Sequence, residues 1–467
     1  MDFFRKKTFE SVKESGATSG LSKSLGAIDL ILFGLGGIIG TGAFVLIGLV
    51  AAKYSGPAVM ISCIIAGVTC IFVALAYTEL AAMLPTSGSV YTYSFVAFGE
   101  LFAWLMGSVI ILELGISSSA VAAAWSGYIQ GRLQVLNLSL PDALSKVPAE
   151  GGIINLPAVF VVLFVGFVLF LGMKDSKRLN AILVCIKMAA IFTFMLAAAP
   201  HFDTANWQTF VPFGANNVVV GSSILFFAFT GFGTIAAAAE ECKNPKRDIT
   251  IGIIGSLILS TIVYVIIGGL ATGIVPYTEL NNAQPLAHAL TLNNSNIGSA
   301  IVATGAIFGM TTVIMMNIYG ISRIFYVIAR DGLLPKFLTK IHPKYDSPYV
   351  GIAIFTVFIA LLGGFCPLEL LSQLSSMAAL MDYMVIAAVV MLFRIKLPNV
   401  NRPFRCPIVF IISPIAFVAS AYLLSKQIID ENFQLIVTGK VIIYWFAAFF
   451  VLYLIKAVIT KDKVSSS

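Results

Sequence analysis

Charge is what this sequence has least of: Asp, Glu, Lys and Arg make up 11% of its 467 residues, against about 25% in a typical soluble globular chain. So little charge excludes an ordinary water-soluble domain. Chemistry-bearing patterns are scarce too. The chain has no HExxH, no paired GxGD aspartates and no GxxxxGK[ST], which removes the usual catalytic and nucleotide-binding sets and argues against an enzyme. Its three histidines, His201, His288 and His342, fall in or beside expected loops, so a histidine proton relay is excluded. The six cysteines lack any CxxC spacing and read as small hydrophobes rather than redox or metal ligands. No cofactor and no metal is expected. A cleavable signal peptide is not expected either, because the first 26 residues are polar and the first apolar run is too long for a signal core.

What is present is apolar surface: 59% hydrophobic residues and a mean hydropathy of +0.96. A helix needs about 20 mostly apolar residues to span the roughly 30 Å hydrocarbon core. Twelve such runs are expected, at 27–50, 57–82, 99–129, 153–173, 179–199, 217–239, 249–274, 297–328, 349–364, 369–394, 406–424 and 435–457. With the N-terminus inside, 23 of the 29 Lys and Arg lie on that side and five, Lys53, Arg132, Lys146, Lys426 and Lys440, on the other; Lys187 remains within a span. This bias places both termini in the cytoplasm. It also accounts for the net charge of +7 as membrane topology, so nucleic acid is not an expected partner.

Residues 34–42 read GLGGIIGTG, five glycines in nine positions inside the first run. Ordinary helix packing is one reading. The other is a helix broken at Ile39, Gly40, Thr41 and Gly42, which frees backbone N–H and C=O groups at mid-membrane. Such groups are tolerated only where they line a cavity or are buried in protein. Five runs later FFAFTGFGTIAA sets Gly231 and Gly233 beside Thr230, the position at which an inverted five-helix repeat puts its second broken helix. Two facing breaks offer donors to a carboxylate and acceptors to an ammonium, which suits an α-amino acid.

Three ionisable residues lie inside spans: Glu113, Lys187 and Asp382. Each costs about 2.5–3.5 kcal/mol at the bilayer centre on insertion scales. Lys187 sits roughly 12 Å deep at about 1.5 Å per residue. Snorkelling is one reading; the other aims its amine at the broken first helix, where protonation couples to conformation. Asp382 has no assigned role. Glu79 and Asp29, near span ends, read as solvated or capping groups.

The segments GLGGIIGTGAFV, PTSGSVYTYSF, FFAFTGFGTIAAAAEECKNPKRDITIGI and SRIFYVIARDGLLPKF resemble the amino acid permeases of the amino acid, polyamine and organocation superfamily. The likeness is nearest to bacterial relatives of the cationic amino acid transporters, and it runs in order along the whole chain. It implies an all-α membrane protein of twelve transmembrane helices. In this LeuT-type fold, 27–199 and 217–394 form a 5+5 inverted repeat with broken helices 1 and 6. Two extra helices follow in 406–457, between a cytoplasmic segment 1–26 and a cytoplasmic tail 458–467. By the same resemblance Ile38, Gly40, Thr41 and Gly42 hold the substrate backbone, joined by Phe227, Ala228 and Thr230, with Phe227 also gating. Lys187 matches the lysine of proton-coupled members, and Glu113 matches an acidic position whose roles stay open: tuning Lys187, attracting a substrate ammonium, or local hydrogen bonding.

Where the cationic branch reads GFD, this chain has Gly231-Phe232-Gly233, so Gly233 is a selectivity position and neutral substrates gain weight. The expected function is proton-coupled uptake of small neutral, and also cationic, L-amino acids at the plasma membrane by alternating access. Alternatives are an exchanger, a polyamine transporter, or a channel or substrate-sensing receptor on the same fold. Expected partners are the amino acid, protons and membrane lipid, with a small membrane subunit left open.

Overall fold

The structure is a computed structural model that describes residues 5–12, 23–345, 347–429 and 435–465. Residues 1–4 and 13–22 of the expected N-terminal segment, and 466–467 of the expected tail, lie outside the described residues. Among the described residues there is no β-sheet, only isolated bridges from Leu25 to Cys242 and from Ile429 to Leu435. Nine helices among them are long and apolar enough to cross a membrane, and three further apolar helices, Ala27–Ile38, Leu156–Phe170 and Tyr349–Phe365, are shorter. An all-helical chain is what a lipid solvent demands, because every backbone polar group must be satisfied within its own segment.

The first expected span is not one helix. It divides into α1 (Ala27–Ile38) and α2 (42–55), which begins and ends in π-helical turns. Gly56, at φ +60°, then turns the chain into α3 (Val59–Met83). A short α4 (Ser89–Ala97) leads to α5 (100–135), whose centre, Ile111–Ile116, widens into a π-helical segment carrying Glu113. Next come α6 (Leu156–Phe170) and α7 (Met173–Ala198). The sixth span is broken as well. It comprises α8 (Ala215–Leu225), a 3₁₀ turn at Phe226–Phe229 and α9 (Gly233–Ala237). The remaining helices are α10 (Pro245–Ile274), α11 (Pro285–Leu292), α12 (Asn296–Arg330), α13 (Tyr349–Phe365), α14 (Leu368–Lys396), α15 (Val409–Ile428) and α16 (Val437–Ser465).

Packing follows side-chain size. On α6, Phe160, Phe164 and Phe167 point outward at helical spacing, as lipid-facing residues do. On its inner face Gly166 leaves no room for a methyl group, since a Cβ there would lie 2.3 Å from Thr356 of α13. Small residues let membrane helices approach closely where no hydrophobic effect drives them together. By such contacts α1 lies against α7, α9, α10 and α12 at the centre of the bundle.

At one end of the bundle the chain is tied shut. Arg5 pairs with Glu100 at 2.8 Å and Lys7 pairs with Asp331. Lys6 Nζ donates to Ala97 O at 2.9 Å, and Tyr453 of α16 donates to Glu100 at 3.2 Å. Glu241 accepts from Tyr319 at 2.5 Å and from Arg323 Nε at 2.8 Å. Arg323, assigned from sequence to the loop cations, is thus buried inside α12. Glu79 also departs from its reading as a solvated group. It is 1% exposed and pairs with Arg394 at 2.7 Å and Arg402 at 3.1 Å, because the chain beyond α14 folds back over the end of α3. Asp29 does cap, accepting from the Gly26 N–H at 2.9 Å.

Candidate functional site

The two breaks meet. Gly231 has φ +108°, a conformation open to glycine at no steric cost, and a Cβ on it would lie 2.8 Å from Gly37 O. A Cβ on Gly42 would lie 2.3 Å from that of Ala228. Both glycines therefore serve backbone approach between the first and sixth spans. Ile38 ends α1, Gly40 lies in the gap, Thr41 caps α2 and Gly42 opens it. Across from them Phe227 and Ala228 lie in the 3₁₀ turn and Thr230 caps it. Thr230 Oγ1 donates to Phe227 O at 2.8 Å, and Thr234 Oγ1 to Gly231 O at 2.6 Å. Thr41 Oγ1 is buried with no partner among the described residues.

Broken helices leave carbonyls without intrahelical donors, and two side chains serve them here. Lys187 of α7 is fully buried. Its Nζ donates to Leu35 O at 2.7 Å, Ile39 O at 2.7 Å, Gly36 O at 3.1 Å and Thr312 Oγ1 at 2.9 Å. The stem runs over Gly309 of α12, where a Cβ would lie 3.3 Å from Lys187 Cδ. No described carboxylate lies within ion-pairing distance of this amine. Tyr264 of α10 is the second donor. Its hydroxyl stands 2.8 Å from Ile38 O and 2.8 Å from Ala228 O, so one hydrogen is shared between the two breaks.

Glu113 is buried on another wall. Its carbonyl accepts from Ser375 Oγ of α14 at 3.1 Å, and its carboxyl is not among the partners of Lys187. Gly233 starts α9 facing Tyr77, whose hydroxyl would be 3.2 Å from a Cβ there. Sequence reasoning missed Tyr264, Thr312 and Asn180, whose amide crowds Gly36. A tyrosine at the centre of an apolar run, away from the interfacial belts, was the available signal for Tyr264.

At the end opposite Arg5 and Glu100 a cavity of about 500 Å³ opens between α8, α14 and α15. Asn216, Ser223, Ser372, Ser376 and Gln427 give it a polar wall, and along the α8 strand of the wall the lining descends to Phe227.

A polar funnel ending on two facing helix breaks is built to pass a small polar solute, and the sequence comparisons identify the lineage. A family model described as amino acid permease matches residues 25–465. The chain belongs to the amino acid permease family. This permease is 40% identical over 429 residues to the branched-chain amino acid permease BcaP of Bacillus subtilis (strain 168), covering 90% of this chain and 92% of that one. It is 38% identical to the methylthioribose transporter of the same organism, over 87% of this chain and 88% of that one. It is 34% identical to cationic amino acid transporter 4 of Mus musculus, over 82% of this chain and 62% of that longer one. These relatives are transporters, not enzymes, and the permease is a multi-pass membrane protein like them.

Proposed function

We propose that this permease is a proton-coupled importer of small neutral L-amino acids in the plasma membrane, working by alternating access with both termini cytoplasmic. It is read as twelve transmembrane helices, the two broken ones related by the inverted repeat of 27–199 and 217–394, with 406–457 outside it. The three short apolar helices support that count when added to the nine long ones. The substrate's carboxylate and ammonium engage the backbone of Ile38, Gly40, Thr41 and Gly42 and that of Phe227, Ala228 and Thr230. Phe227, at the foot of the cavity, closes over the substrate. Kinship with a branched-chain amino acid permease and the absence of an acid at Gly233 favour neutral side chains.

The observation that carries the coupling is the seat of Lys187 on the carbonyls of Leu35, Gly36 and Ile39. A protonated lysine has three N–H donors and a charge, and a neutral one has neither the third donor nor the charge. Protonation therefore holds the end of α1 in place, and proton release frees it. Glu113 is the second protonatable group of the cycle. The test is uptake of leucine or alanine into proteoliposomes under imposed pH or sodium gradients. An inward proton gradient should raise uptake, sodium should not, and Lys187→Ala should abolish the pH response. Sodium-driven accumulation would overturn the reading, as would a variant that still follows the pH gradient; counterflow without any gradient response would indicate an exchanger.

A further inference from the structure

Asp382 lies midway along α14, 3% exposed, and its Oδ1 has no partner among the described residues. Four aromatic rings stand around it. Tyr383, its chain neighbour, stacks on Phe232 at 5.1 Å and meets Phe226 edge-on at 5.4 Å. Phe232 in turn meets Tyr77 at 5.6 Å, and Tyr77 meets Tyr93 at 6.4 Å. Asp382 is within electrostatic reach of the hydroxyls of Tyr77, Tyr93 and Tyr383 and of Glu113. Tyr77 is engaged with Ser89, whereas the Tyr93 and Tyr383 hydroxyls are wholly buried and unpartnered among the described residues.

A buried polar atom without a partner forfeits about 1–3 kcal/mol, and here three of them converge beside a second carboxyl. No described lysine or arginine pairs with either acid. Carboxylate oxygens set among aromatic faces are the elements that recognise an alkylammonium, which takes hydrogen bonds from its corners and cation–π attraction from the rings. The place is next to the substrate. Phe226 and Phe232, the two rings that Tyr383 touches, flank the sixth-span break, and Tyr77 lies 3.5 Å from Gly233 O.

The geometry points to a subsite in which Asp382, with the Tyr93 and Tyr383 hydroxyls, receives the terminal ammonium of a substrate side chain. The acid missing at Gly233 is thus supplied from α14. This rests on the amino acid reading above and extends it: lysine or ornithine is admitted alongside neutral substrates, through a residue on another helix. Glu113 adds negative potential on the far side. A free diamine has the same ammonium but no α-carboxylate for the helix breaks to hold.

The test compares L-lysine, L-norleucine, which matches its chain without the ammonium, and cadaverine, which lacks the carboxylate. Binding is measured by thermal shift on purified wild type, Asp382→Asn and Tyr383→Phe. Wild type should be stabilised by lysine and by norleucine, and more weakly or not at all by cadaverine. Asp382→Asn should raise the ratio of lysine to norleucine dissociation constants roughly 30-fold or more, the usual scale for removing one partner of a buried charge pair. Tyr383→Phe should raise it less. An unchanged ratio in Asp382→Asn would overturn the subsite, as would wild type that binds norleucine but not lysine; both leave the amino acid reading standing. Cadaverine binding tighter than lysine would overturn it in favour of a diamine site. If no amino acid stabilises the wild type, the amino acid reading itself fails.

Discussion

A lysine placed under a broken helix does more than neutral capping groups do, because its donor count changes with protonation. Around Lys187 the supporting contact is Thr312, whose hydroxyl accepts from the amine at 2.9 Å and lies 3.0 Å from Gly36 O and 2.7 Å from Gly309 O. Thr312→Val should leave the fold intact and weaken the response of uptake to a pH gradient, measured in the same vesicles as wild type. Tyr264→Phe removes the one hydrogen that Ile38 O and Ala228 O share. A buried hydrogen bond of this kind contributes about 1 kcal/mol net and more when an acceptor is left bare. Uptake at subsaturating substrate should therefore fall about tenfold, and wild-type uptake would show that the hydroxyl is dispensable. Lys187 was legible from sequence because a cation in an apolar run is conspicuous. Tyr264 and Thr312 were not, since tyrosine and threonine are ordinary in membrane helices and only packing brings them to the breaks.

At the scale of elements, the two interrupted spans hold each other. Gly231→Ala would impose a Cβ on a left-handed backbone 2.8 Å from Gly37 O, costing about 1–3 kcal/mol in strain before the contact is relieved. Its thermal unfolding in detergent should come at a lower temperature than wild type. Gly42→Leu acts differently, forcing α2 away from Ala228, and should abolish uptake in protein that still reaches the membrane. Both interruptions were readable from glycine clustering. The π-helical segment at Ile111–Ile116 was not, because a widened turn depends on what packs against it and leaves no compositional mark. Nor was the burial of Glu79, which depends on residues more than 300 positions away folding back over it.

For the whole molecule, the polar cavity at one end and the ion-paired seam at the other describe a transporter open on one side and sealed on the other. Ser376→Cys, placed in the cavity wall with the exposed Cys185 changed to serine, should react with a membrane-impermeant thiol reagent from the cavity side. A saturating substrate should slow that reaction. The seam has a practical corollary. Arg5, Lys6 and Lys7 are three consecutive trypsin sites, and all three are engaged in the closure. Cleavage there should be slow while the seam holds and fast once it parts. A brief protease pulse would then act as a clock for how often the sealed end opens, readable on a gel without label or substrate.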